Sequence, residues 1–123
     1  LGIAFLPYFP LASGLLSGKY KKGQPRPIGT RLSTPEAPLA IRFLNDENLD
    51  VVDALDKFAQ ERGHTLLELA QAWLLARQDV ASVIAGATSA SQVQANAAAV
   101  TWELTADELR LIDHIAPMRP RTV

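Results

Sequence analysis

The sequence has no cysteine among its 123 residues, which excludes disulfides, thiol nucleophiles and thiolate-bound metals together. Charge of neither sign is in surplus. Twelve lysines and arginines stand against 13 aspartates and glutamates, so bulk electrostatics offer no attraction to a nucleic acid. No apolar run approaches the ~18 residues of a membrane helix, and no charged segment with a following apolar stretch precedes a cleavage site. Internal repeats, heptad arrays and low-complexity tracts are also absent. These absences lead to the expectation of a cytoplasmic chain with neither a nucleic-acid nor a membrane partner. Aromatic proton carriers are few, namely Tyr8, Tyr20, His64 and His114.

The stretch that organises the remainder is residues 2–20, GIAFLPYFPLASGLLSGKY. Ile3, Ala4, Phe5 and Leu6 are apolar without alternation, the pattern of a strand covered on both faces. Pro7 and Pro10 end any ladder, because neither has a backbone N–H. Tyr8 then falls at the carboxyl end of the strand. In barrels and open α/β sheets this edge holds ligands, and a core aromatic at a strand end would look the same. A second strand is expected over residues 80–84, leading through Gly86-Ala87-Thr88-Ser89 to a helix beginning near Ala90. Ser89 and Gln92 have the spacing of a capping box. A glycine loop that feeds a helix N-terminus presents amides and a positive dipole end to a phosphate, although an ordinary capped helix has the same pattern.

Residues 19–38, KYKKGQPRPIGTRLSTPEAP, have no hydrophobic period and read as a long surface loop, either a solvated connector or a flap over a ligand. Over residues 45–62, Leu49, Val52, Leu55, Phe58 and Ala59 recur at helical steps, with Asn45 or Asp46 as cap and Gly63 as stop. Thr65 and Glu68 form a second capping box. It opens a helix to Arg77 that buries Leu66, Leu69, Ala70, Trp73 and Leu74, with Trp73 as a core residue. Thr105 and Glu108 form a third, and Leu109, Ile112 and Ile115 carry the last helix to Pro117. Residues 118–123 read as a flexible or shortened tail.

The chain resembles the carboxyl-terminal part of an aldo-keto reductase. The resemblance rests on Tyr8-Phe9-Pro10-Leu11-Ala12-Ser13-Gly14-Leu15-Leu16-Ser17-Gly18-Lys19-Tyr20, on Thr65-Leu66-Leu67-Glu68-Leu69-Ala70-Gln71-Ala72-Trp73-Leu74-Leu75, and on Val83-Ile84-Ala85-Gly86-Ala87-Thr88-Ser89 with Gln92 and Asn96. It extends over residues 2–113 and is greatest for bacterial reductases that are similar to potassium-channel β-subunits. It implies an α/β fold, the last two βα units plus terminal helix of a (β/α)8 TIM barrel. It also implies NADP(H) as cofactor and reversible reduction of a small carbonyl substrate, an aldehyde or ketone, to an alcohol. A full barrel needs roughly 200 residues or more. A chain of 123 residues with two strands, starting almost on the first of them, is therefore expected to be a single-domain fragment whose partner is the remainder of the barrel. A non-catalytic nucleotide-binding or regulatory module of the channel β-subunit type is the alternative.

The resemblance also assigns roles. Tyr8 would stack on the nicotinamide ring, and Pro10, Leu11 and Ser13 would form the turn that wraps the pyrophosphate. Lys19 and Arg31 would hold the pyrophosphate and the adenosine-phosphate end. Gly86 and Thr88 would contact phosphate, and Gln92 and Asn96 the adenosine end. Phe9 stands where serine is frequent and Ala95 where glutamate is, so two contacts of relatives are absent. The family's catalytic Asp, Tyr, Lys and His set finds no match. Tyr8 and Tyr20 do not align with the proton donor, and His64 and His114 read as solvated or capping residues. The chain is thus expected to bind cofactor without reducing a carbonyl by itself.

Overall fold

The computed structural model describes residues 2–118. It is helical, with α1 (Pro38–Phe43), α2 (Asp46–Gln60), α3 (Leu66–Leu75), α4 (Ala90–Ala98) and α5 (Ala106–Ile115), and 3₁₀ turns at Ala12–Ser17 and Ala99–Thr101. Local chemistry accounts for the helix ends. Asn48 N donates to Asn45 Oδ1 at 2.9 Å, capping α2. Gly63, at φ 75°, takes the left-handed turn that ends this helix and returns the chain to Thr65. There Glu68 N donates to Thr65 Oγ1 (3.2 Å) and Thr65 N to Glu68 Oε2 (2.6 Å), the reciprocal box at the start of α3. Thr105 and Glu108 repeat it for α5, at 3.2 and 2.9 Å.

The buried faces of these helices meet in one core. Val52, Leu55 and Phe58 from α2, Leu66, Leu69 and Ala72 from α3, and Ile112 from α5 close around Leu15 and Trp102. Full burial of each large side chain is worth about 1.5–3 kcal/mol, which outweighs the propensity of helices this short. Arg62 joins α2 to α5. Its guanidinium lies 3.6 Å from the centre of the Phe58 ring, Nε donates to Glu108 Oε1 (3.0 Å), and a terminal nitrogen donates to the Phe58 carbonyl (3.0 Å).

The loop at 19–38 lacks regular structure up to α1, as expected, but it is not simply solvated. Tyr20, Leu32 and Ala40 form a second, smaller core, and Leu32 N donates to the Tyr20 hydroxyl at 3.3 Å. Lys21 pairs with Asp56, and Lys22 with Asp50 at 2.6 Å, which fastens the loop to α2.

The two strands of the α/β expectation do not form. Among the described residues there is no strand; residues 3–6 and 80–84 share one isolated parallel bridge, between Phe5 and Val80. Phe5 N donates to Asp79 O (2.6 Å), and Ala81 N donates to Phe5 O (3.1 Å). A parallel ladder would continue through a donor on residue 7, and Pro7 has none. The next bond runs from Ile84 N to Pro7 O at 2.9 Å, one residue beyond ladder register. Coverage on both faces fails as well, since Phe5 is 56% exposed and Ile84 54%. Apolar runs of this kind are buried only by neighbouring strands and helices, and among the described residues, residues 3–6 stay exposed. Residues 119–123 of the expected tail lie outside the described residues, and Met118 is exposed.

Candidate functional site

The bridge and the Ile84–Pro7 bond set the carboxyl ends of the two extended segments side by side, so residues 8–19 and 86–96 begin at one edge. Tyr8 is 80% exposed there. Pro10 and Leu11 are half-buried, and the Leu11 carbonyl accepts from Gly14 N (2.8 Å) and Leu16 N (3.2 Å). Between them Ala12, Ser13 and Gly14 take φ values of 45°, 60° and 93°. Left-handed backbone costs a non-glycine residue roughly 1–2 kcal/mol, and the Ala12, Gly14 and Leu16 amides are all spent within the turn, on Phe9 O and Leu11 O. Ser13 is buried with its Oγ unpartnered. Lys19 lies across this turn, with Cε and Nζ 2.8 Å from where a Cβ on Gly14 would stand and Nζ 5.4 Å from the centre of the Tyr20 ring. Arg31 is exposed and bonds to none of these residues.

The second group is joined directly. Ser89 Oγ accepts from Gln92 N at 3.3 Å, capping α4 as expected. The expected reciprocal bond to Ser89 does not form; Gln92 Oε1 instead accepts from Thr88 N (2.7 Å) and Thr88 Oγ1 (3.1 Å). Thr88 thus supplies both an amide and a hydroxyl donor to the one oxygen. Asn96 Nδ2 donates to Gly86 O at 3.5 Å, and Asn96 Oδ1 accepts from Gln71 Nε2 at 3.0 Å. A Cβ on Gly86 would meet open space, so no protein neighbour demands glycine there. The fold therefore gathers Gly86, Thr88, Gln92 and Asn96, and separately sets Lys19 against Gly14, the neighbour of Ser13. Tyr8 and Arg31 are hydrogen-bonded to neither group.

Two features escaped sequence reasoning. Gln71 is one; a neutral polar residue inside LLELAQAWLL was its signal. The other is an open apolar groove of about 810 Å³, lined by Phe5, Phe9, Phe43, Leu69, Trp73 and others. Of the expected contact residues only Tyr8 and Pro10 line it. Trp73 is half-buried, with Arg77 4.2 Å over its ring and an unpartnered Nε1.

Several other ionisable and aromatic groups serve structure. Tyr20 is buried with its hydroxyl on Leu32 N, and His64 stacks on Trp102 at 4.0 Å. Lys22, held above its ordinary value by the Asp50 hydrogen bond, and Glu68 and Glu108, held below theirs, belong to ion pairs and helix caps. Among the described residues no group of three or more His, Asp or Glu side chains could hold a metal ion, and no helix is long and apolar enough to cross a membrane.

Residues 1–117 match the family described as "Aldo/keto reductase family". A "Probable voltage-gated potassium channel subunit beta" of Arabidopsis thaliana is 39% identical over 127 residues, covering 98% of this chain and 38% of the relative. An "L-glyceraldehyde 3-phosphate reductase" of Escherichia coli (strain K12) is 36% identical over 118 residues, 94% of this chain and 34% of its own. A "Pyridoxal reductase, chloroplastic" of Arabidopsis thaliana is 30% identical over 123 residues, 100% of this chain and 31% of its own. The chain thus spans about a third of the length of these curated relatives.

Proposed function

The chain belongs to the aldo/keto reductase family, and on that premise we propose that it forms the cofactor edge of an NADP(H)-dependent reductase that interconverts small aldehydes or ketones and alcohols. The observation that carries this reading is the Phe5–Val80 bridge, because it aligns the two loops at one edge.

The residues present suit a dinucleotide. Ser13 has a buried hydroxyl without a partner in a turn of left-handed backbone, and Lys19 supplies a cation over it. Of the first amides of α4, that of Gln92 is held by Ser89 Oγ, and those of Ala90 and Ser91 have no intrahelical acceptor at the positive dipole end. Ser13, Leu11 and Lys19 would hold the pyrophosphate, with Pro10 shaping the turn and Gly86 and Thr88 opposite. Gln92 and Asn96 would meet the adenosine end, with Arg31 delivered by the loop that Leu32 anchors. Tyr8, free of packing, would lay its ring against the nicotinamide and fix which face is open, a positioning effect. The bound cofactor would supply the two electrons of the reduction.

In this reading the catalytic Asp, Tyr, Lys and His set comes from the remainder of a TIM barrel, whose strands and helices would also cover Phe5 and Ile84. A cytoplasmic location suits the cysteine-free chain.

The test is titration of the natural protein with NADPH by nicotinamide fluorescence, followed by oxidation of NADPH with a simple aldehyde. Binding with turnover is expected. Similarity to relatives named as potassium channel β subunits favours one second reading, a nucleotide-binding module without chemistry, and binding without turnover would select it. No binding would overturn both.

A further inference from the structure

We infer that Gln71 is a positioning residue: from α3 it fixes the orientation of the Asn96 carboxamide, and so decides which ligand atoms Asn96 can address. The inference rests on the cofactor reading above. Gln71 is only 3% exposed. A buried carboxamide without partners is costly, so its bond to Asn96 is a condition of its burial.

The direction of the network follows from its far end. Gly86 O is a backbone carbonyl and can only accept, so the group facing it at 3.5 Å has to be Asn96 Nδ2. Asn96 Oδ1 is then turned inward, and Gln71 must offer Nε2 to it, at 3.0 Å. With its oxygen engaged, Asn96 retains the second Nδ2 hydrogen, which has no protein acceptor among the described residues. Gln92, four residues earlier on the same face of α4, is polarised alike. Its Oε1 is occupied by Thr88 N and Oγ1, so its Nε2 remains for the ligand.

The edge therefore presents two amide donors and withholds the matching acceptors. It pairs with ligand acceptors, such as purine ring nitrogens or phosphate oxygens, and discriminates against an exocyclic amino group in the same place. Without Gln71, Asn96 is free to turn over and lose that preference.

Three variants of the natural protein test this: Gln71→Leu, Gln71→Glu and Asn96→Ala, with NADPH and reduced nicotinamide mononucleotide as probes. Gln71→Leu should weaken NADPH binding roughly fivefold, the worth of one neutral hydrogen bond. Binding of the mononucleotide, which lacks the adenosine end, should not change. In the Asn96→Ala background the same substitution should cost nothing further. Gln71→Glu sets a carboxylate against Asn96 Oδ1 and should show the same loss, regained relative to the native protein on acidification, because the neutral acid can donate. This arm stands even if Gln71→Leu fails to fold. In the cofactor-free protein, Gln71→Glu should also shift the Asn96 side-chain amide resonances. Additive losses with Asn96→Ala, or equal weakening of both probes, would overturn the inference while leaving the cofactor reading intact. A native protein that does not bind NADPH would overturn the cofactor reading and the inference together.

Discussion

Leu32→Ala offers a direct measure of how the 19–38 loop is held. Leu32 is 0% exposed in a cluster with buried Tyr20 and Ala40, against which Ala37, Phe43, Leu44 and Leu49 also pack, and its N–H donates to the Tyr20 hydroxyl at 3.3 Å. Deleting three buried carbons costs about 2 kcal/mol, the low end for Leu→Ala because a small cluster at the surface can partly collapse. The cluster meets the main core through half-buried Phe43, Leu44 and Leu49 and shares none of its fully buried residues, so the loss falls chiefly on local opening of the loop, whose equilibrium should rise roughly 30-fold. Trypsin reads this at the bond between Arg31 and Leu32. Arg31 is exposed, but to thread that bond through a protease the Leu32 side chain must leave its pocket and its amide must leave Tyr20. Where reclosing outpaces cleavage, the rate follows the open population. The bond after Arg110 on α5 serves as control and should change little. Tyr20→Phe, which removes only the hydroxyl, should accelerate the same cut roughly fivefold. An unchanged rate after Arg31 would show that Leu32 does not restrain the loop, and equal acceleration at both bonds would show that the two clusters unfold as one.

Three further outcomes are expected. Partial burial pushes the Glu68 carboxyl up, but the Thr65 amide and hydroxyl and nearby His64 outweigh it; the Thr105 amide chiefly lowers Glu108, against burial and with help from the Thr105 hydroxyl and Arg62. Since both are lowered in the fold, their stabilisation is complete above the ordinary value of 4.5 and is lost as pH falls through the lowered values. Helicity by circular dichroism should decline in that window, and Glu108→Gln should flatten the decline; an identical profile would refute the assignment. Arg62→Lys forfeits the planar stack on Phe58 and the bond to Glu108, a loss of about 1–2 kcal/mol that should lower Tm by roughly 5 °C or more in calorimetry. Gly14→Ala strains a backbone at φ 93° and drives its Cβ into Lys19, so NADPH binding should weaken and depend less on salt, whereas an unaltered salt dependence would deny Lys19 a phosphate.

The helices were legible because their signals are local. Asn45, Gly63, Thr65 with Glu68, and Thr105 with Glu108 act through bonds within one turn of their own positions. What depended on distant neighbours was not legible. Residues 3–6 have the composition of a buried strand, but burial belongs to whatever covers them; the end of the ladder at Pro7, by contrast, was readable from its missing N–H. Ile28 and Leu32 share one polar loop, but Ile28 is 99% exposed and Leu32 fully buried, a difference made by Tyr20 and Ala40 from elsewhere. α1 carried one overlooked mark, Pro38 at its first turn. At the site, the cap at Ser89 was readable. The transfer of Gln92 to Thr88 and the bond from Gln71 to Asn96 were not, since side-chain amides choose among partners that only the folded backbone supplies.

α4 is nine residues long and buries none of them. A helix so short has little order of its own in water, and here no apolar face adds to it. Whatever occupies Thr88, Gln92 and Asn96 would thus contribute its binding free energy, which grows as RT ln(1 + [L]/Kd), to this helix before any other. Occupancy and local order become nearly one quantity, and the exchange rates of the amides at 90–98 work as a gauge of ligand concentration, while those of α2 and α3, sealed in the core, stay silent.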